Sequence, residues 1–138
     1  MQVALEEKNR LYYSQQHSLQ KRIEHSTFIS AKFPERVPLI VQPKPHSSST
    51  WLKNSKILAP KTSTIGALLC HVRETIPLDA QSGLYYMVDT SKKEISPFLN
   101  QQYQIIGGND LVGHLYTQFV KPDGFCYIYY AAESTFGA

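Results

Sequence analysis

From Ser14 to Phe33 the chain is polar and contains neither Pro nor Gly, and Leu19, Ile23, Phe28, Ile29 and Phe33 recur at an irregular helical spacing. One or two short helices are predicted there. Pro34 ends them, because it disfavours the α conformation at Phe33 and has no N–H for the helix ladder. Val37-Pro38-Leu39-Ile40-Val41 reads as a short strand, with Pro38 at its start or on its unpaired side. Pro43, Pro45 and the run Ser47–Thr50 mark a loop, and Lys56-Ile57-Leu58-Ala59-Pro60 is a second strand. The hydroxyls of Thr62, Ser63 and Thr64 can cap a helix whose stripe is Ile65, Leu68, Leu69, Val72 and Ile76, the clearest in the chain. Pro77 closes it. Leu84–Val88 is a continuous apolar strand, buried on both faces. Residues 89–109, with Pro97 and Gly107-Gly108, read as an extended polar loop. Asp110 then caps a helix carrying Leu111, Leu115, Tyr116 and Phe119, Lys121-Pro122-Asp123-Gly124 makes a turn, and Phe125–Tyr130 is a central last strand.

The order is therefore helices, strand, strand, helix, strand, helix, strand. The first two strands can pair as a hairpin, and the helix at 65–76 supplies the crossover that lets a later strand lie parallel to an earlier one. The economical solution is an α+β fold, a ubiquitin-like β-grasp with additional N-terminal helices. Residues 1–13 read as a flexible extension, 14–133 as the domain and 134–138 as a tail.

Composition narrows the function. The chain has 138 residues, 42% hydrophobic, enough for one domain with a real core. Cys70 and Cys126 give neither a disulfide framework nor zinc-ligand spacing, so a reducing cytosolic compartment is expected. No apolar run reaches the ~20 residues that span a bilayer, and the first residues lack the pattern of a signal peptide. No acidic residue lies between Glu35 and Glu74, whereas Arg36, Lys44, Lys53, Lys56, Lys61 and Arg73 do, which favours acidic partners. The basic residues are scattered, and no nucleic acid is expected.

No enzyme, cofactor or metal site is expected either. His71 adjoins Cys70 on a helix, where neighbours point about 100° apart, and Cys126 sits in an apolar strand as inert packing. His17, His46 and His114 show no ligand spacing, and His25 reads as a surface position. Gly107-Gly108 lacks the Lys-Ser or Lys-Thr of a phosphate loop. The C-terminus is more informative. A tail leaving a central strand lets Ser134 to Gly137 reach roughly 13 Å. Gly137, without a Cβ, could enter a narrow cleft, and Phe136 offers an aromatic grip.

The stretches Gln20-Lys21-Arg22, Lys32-Phe33-Pro34-Glu35-Arg36-Val37-Pro38-Leu39-Ile40-Val41, Lys56–Pro60, Thr64-Ile65-Gly66, Asp123–Tyr130 and Glu133-Ser134-Thr135-Phe136-Gly137 together resemble the autophagy ubiquitin-like modifiers of the GABARAP and microtubule-associated light-chain family. The resemblance covers about residues 14–137. It implies cleavage between Gly137 and Ala138 by an autophagin-type cysteine protease that recognises Phe136. Activating and conjugating enzymes would then join Gly137 to phosphatidylethanolamine, with transfer to autophagosomal or other vesicle membranes. It also implies a groove for cargo receptors with aromatic-x-x-aliphatic motifs. By position, His25, Ile29, Pro38, Ile40, Lys56, Leu58 and Phe125 would line pocket one, and Ile57, Ala59, Pro60, Ile65, Leu68 and Val72 pocket two. Arg36 and Lys53 would attract acids beside the motif. The sequence departs from the family at Leu19, at His25 and Ser63, where an acid and a Leu are usual, at Thr75, where an Arg is frequent, and in a longer loop over Ser91–Gly108. The alternative reading is a non-conjugated adaptor using the same groove.

Overall fold

The structure is a computed structural model that describes residues 11–45, 47, 51–76, 83–91 and 102–132. The elements are α1 (Tyr13–Gln16), α2 (Leu19–Lys32), β1 (Arg36–Pro43), β2 (Lys56–Pro60), α3 (Ile65–Thr75), β3 (Leu84–Asp89), β4 (Tyr103–Ile105), α4 (Val112–Phe119) and β5 (Cys126–Ala132). They form one five-stranded sheet in the order β2-β1-β5-β3-β4, with β1 and β5 parallel and the other neighbours antiparallel.

The apolar runs of β1, β3 and β5 are unbroken because both faces of the sheet are covered. Alternation sends Val37, Leu39, Val41, Tyr86, Val88, Cys126, Ile128 and Tyr130 to one face, where they pack against Ile65, Leu68, Val72 and Ile76 of α3 and Val112 and Leu115 of α4. Ile40, Met87, Tyr127 and Tyr129 go to the other face with Phe125 and Ala131, and meet Tyr13 and Ile29 of the N-terminal helices. Those helices therefore belong to the folded body, resting on the sheet.

One aspartate fastens them. Asp123 pairs with Arg22 at 2.8 Å, accepts from the Tyr127 hydroxyl at 2.6 Å and from the Phe125 amide at 2.9 Å, and its carbonyl accepts from Ser26 Oγ at 2.6 Å. Gly124 follows at φ 89°, where a Cβ would lie 2.3 Å from Ser26 Oγ. Only glycine satisfies both the left-handed backbone and that close approach. A second buried pair, Lys121 with Asp89 at 3.0 Å, ties the same turn to β3, and Lys121 also donates to the Ser91 carbonyl.

Element boundaries follow the sequence signals closely. Thr64 caps α3 by accepting from the Ala67 amide, and α2 stops at Lys32, two residues before Pro34. Three expectations need correction. Tyr13, assigned to the flexible extension, opens α1 and is buried, and Tyr12 donates to the Pro43 carbonyl at 2.8 Å; the apolar ring faces the sheet instead of solvent. The loop drawn over 89–109 begins with the last residue of β3 and contains β4, whose Tyr103, Gln104 and Ile105 pair with Asp89, Val88 and Met87. A three-residue edge strand is held by its neighbour's ladder, which no local pattern encodes. Asp110 stands one residue before the cap, which is Leu111; it accepts from the Leu111 amide at 2.9 Å and pairs with His114 at 3.0 Å. Residues 1–10 and the tail from 133 lie outside the described residues.

Candidate peptide-docking site

β2 is an edge strand, and the hydrogen-bond register shows which of its groups point outward. The Lys61 amide bonds to the Glu35 carbonyl and the Val41 amide to the Ser55 carbonyl. Within that register Ile57 and Ala59 turn their backbone groups toward β1, whereas Lys56 and Leu58 turn theirs away from the sheet. Pro38 lies opposite Leu58, at a pair that exchanges no bonds, so its missing N–H costs β1–β2 nothing. The outward row is partly engaged: the Lys56 amide donates to Asn54 Oδ1 at 3.2 Å, and the Leu58 carbonyl accepts from the Arg36 guanidinium at 3.3 Å.

A hollow of about 210 Å³ opens between β2 and α2, lined by Ile29, Pro38, Leu39, Lys56, Ile57, Leu58 and Phe125. Five of the seven residues expected in pocket one thus come together. Ile40 does not line it; it is fully buried on the sheet face beneath α1 and α2. His25 stands one step behind. Its Nδ1 and the Tyr13 hydroxyl are 2.8 Å apart, and the Tyr13 ring meets Phe125, a wall of the hollow, edge-on at 5.2 Å. Lys56 Nζ lies 5.2 Å from the centre of the Tyr13 ring, a cation–π contact that holds the ammonium beside the mouth. Burial pushes the Tyr13 phenol up to about 12, with the Asp123 charge adding to it, so the hydroxyl stays protonated. The His17 imidazole is held below its usual value, first by desolvation and then by the charges of His25 and Lys56.

A second hollow of about 270 Å³ lies between β2 and α3, lined by Arg36, Ile57, Leu58, Ala59, Pro60, Ser63, Ala67, Leu68 and His71. It gathers Ile57, Ala59, Pro60 and Leu68 of the expected pocket two. Ile65 and Val72 belong to the core under α3, with Val72 also bordering an adjoining depression that Lys53, Lys56, His71 and Thr75 share. Arg36 forms part of the second wall, and Lys53, three residues before β2, lines the adjoining depression. Sequence reasoning missed His71 as a wall residue, although its spacing of three from Leu68 on one helix face could have found it. It missed Tyr13 because that ring precedes any periodic pattern.

The remaining chemistry is quiet. Cys126 is fully buried, and desolvation raises its thiol to about 12, so it is not a nucleophile. Among the described residues no group of three or more His, Cys, Asp or Glu could hold a metal, and no helix is long and apolar enough to cross a membrane.

A mixed sheet with a helix across one face, parallel central strands β1 and β5, and an exposed edge flanked by two apolar hollows is the architecture of a ubiquitin-like β-grasp protein. The family model "Autophagy protein Atg8 ubiquitin like" matches residues 21–137. Autophagy-related protein 8b of Arabidopsis thaliana is 34% identical over 119 residues, covering 86% of this chain and 87% of that protein. Autophagy-related protein 8 of Dictyostelium discoideum is 27% identical, covering 91% and 93%. Two solved structures share the fold, each with a TM-score of 0.71. Trypanosoma brucei ATG8 is 20% identical, covering 89% of this chain and 95% of that one. Plasmodium falciparum Atg8, in complex with a Plasmodium falciparum Atg3 peptide, is 16% identical, covering 88% and 96%. The chain belongs to the Atg8 family of ubiquitin-like autophagy proteins, which are modifiers or adaptors and not enzymes.

Proposed function

We propose that this chain is a conjugated autophagy modifier that docks extended peptides along β2. One observation carries the docking: an edge strand whose Lys56 and Leu58 backbones face outward, with an apolar hollow on either side sharing Ile57 and Leu58. A peptide laid along that edge gains main-chain hydrogen bonds while its anchors fill the hollows. The aromatic anchor goes to the hollow of Ile29, Pro38, Lys56, Leu58 and Phe125, the aliphatic one to that of Ala59, Pro60 and Leu68. Lys53, Lys56 and Arg36 draw acids flanking the motif. The Atg3 peptide bound to the Plasmodium relative supports a partner of this kind, besides cargo receptors.

Conjugation rests on the order of the tail residues. An autophagin-type protease removes Ala138, and an activating and a conjugating enzyme pass the Gly137 carboxylate to the amine of phosphatidylethanolamine. The acyl chains supply an apolar free energy that this polar chain lacks, carrying it from the cytoplasm to autophagosomal or other vesicle membranes. The test is the intact mass of protein purified from its own cells, with Gly137→Ala alongside. Loss of Ala138 plus a lipid-sized addition, both abolished by the substitution, is expected. Intact Ala138 without lipid refutes conjugation.

A further inference from the structure

We infer that the second hollow, besides an aliphatic anchor, takes tyrosine as the second anchor of a docked peptide and holds it more tightly. This deepens the docking reading and rests on it. The two hollows differ in kind. Among the described residues the first is apolar except for Lys56, whereas the second is larger, about 270 against 210 Å³, and sets Arg36, Ser63 and His71 around an apolar floor of Ala59 and Leu68, with Pro60 beside it. The small side chains of Ala59 and Ser63 leave room for a long guest.

All three polar groups can donate a hydrogen bond. A guanidinium only donates, a neutral imidazole donates from one nitrogen in either tautomer, and a hydroxyl turns to suit. Among the described residues no carboxylate lines the hollow. The side chains of Ser63 and His71 have no partner among the described residues, and Arg36 has given one N–H to the Leu58 carbonyl, leaving its other donors and its flat face. The complementary guest has an apolar body for the floor and an oxygen at its tip.

Three side chains compete for that description. A leucine covers the floor but displaces water from donors that it then leaves unpaired. A glutamate satisfies the donors, but it offers only a short apolar stem and desolvates a charge at a rim where exposed ion pairs contribute little. A tyrosine does both, with a large apolar ring, a phenolic oxygen at its end and a face on which the Arg36 guanidinium can stack.

The test titrates the full chain with four peptides, identical except for Tyr, Phe, Leu or Glu at the second anchor. Tyr is expected to bind tightest, about two- to tenfold better than Phe, the value of one net hydrogen bond. In Ser63→Ala/His71→Leu, both substitutions at the rim of the hollow, the Tyr-to-Phe ratio falls toward one, with Arg36 alone left to donate. In Ser63→Thr/His71→Gln it persists, with unchanged thermal melting in both. Phe or Leu matching Tyr, Glu binding best, or a ratio indifferent to the double substitution overturns the inference. Leu58→Ala separates this from the groove itself. If it weakens all four peptides, the docking edge stands whatever the second anchor; if it weakens none, the groove reading falls and this inference with it.

Discussion

Asp123→Ala is expected to be among the most damaging single substitutions outside the hydrophobic core. Its carboxylate is fully enclosed, and its partner Arg22 is 6% exposed. Removing it takes the counter-charge from a buried guanidinium, which keeps neutral partners such as the His17 carbonyl, and takes the acceptor from the Tyr127 hydroxyl and the Phe125 amide. Breaking a buried ion pair from one side costs about 3–5 kcal/mol, against a total stability of about 5–15 kcal/mol for a domain. Ser26→Ala removes one neutral bond to the same turn and should cost only about 0.5–1.5 kcal/mol. Urea unfolding followed by circular dichroism separates them. With a slope of about 1–3 kcal/mol per molar urea, the Asp123→Ala midpoint should fall by about 1 M or more. Arg22→Met/Asp123→Ala should cost less than the sum of the two single changes, because neither charge is then left alone. The damage should also reach the docking edge, since α2 carries Ile29 and the turn precedes Phe125, both of which line the first hollow. An Asp123→Ala protein within about 1 kcal/mol of the parent would refute the whole account of how the N-terminal helices are held.

Gly124→Ala should destabilise by about 1–2 kcal/mol from its left-handed backbone alone and more from the contact with Ser26, so adding Ser26→Gly should recover part of the loss but not all. Leu58→Ala should weaken an aromatic-anchored peptide in a calorimetric titration with little change in melting, because the side chain is only half-buried. Phe125→Ala removes a fully buried ring and should cost about 3–5 kcal/mol, so Phe125→Leu is the cleaner probe of the same wall. By NMR titration His17 should lose its proton below the ordinary histidine value. His25→Asn, which removes a neighbouring positive charge, should move it upward, though not all the way, since desolvation is the larger cause. A folded-state value below the unfolded one means that this histidine's contribution to stability is present above about pH 6.5 and is lost as the pH falls through the lowered value. A His17 titrating at or above the ordinary value would contradict that sign.

Where the chain carries its own punctuation, the fold could be read directly. Lys56–Pro60 and the Thr64-capped helix fall where Pro60, the threonine cap and the stripe at 65, 68 and 72 place them. β4 could not be read that way: Gln104 and Ile105 are exposed, and only the partner strand makes Tyr103–Ile105 a strand at all. The same distinction governs the site. Lys56 and Leu58 are wall residues because alternation on an edge strand exposes them, which a sequence can suggest. Ile40, Ile65 and Val72 share the apolar character of true wall residues, yet depth beneath a helix removes them from the surface, and depth is not written in local pattern. His71 is the converse, a polar residue whose helix phase brings it to the rim.

The hold of Arg36 on the Leu58 carbonyl, with Asn54 on the Lys56 amide, has a consequence for how the protein survives alone. A bare strand margin invites copies of the same chain to zip together. Here two side chains sit across the open groups as removable guards, each bond weak enough for a well-matched visitor to displace. Selectivity for a guest and resistance to self-association then come from the same pair of contacts, and a protein stripped of both should gather into oligomers before it gains any affinity.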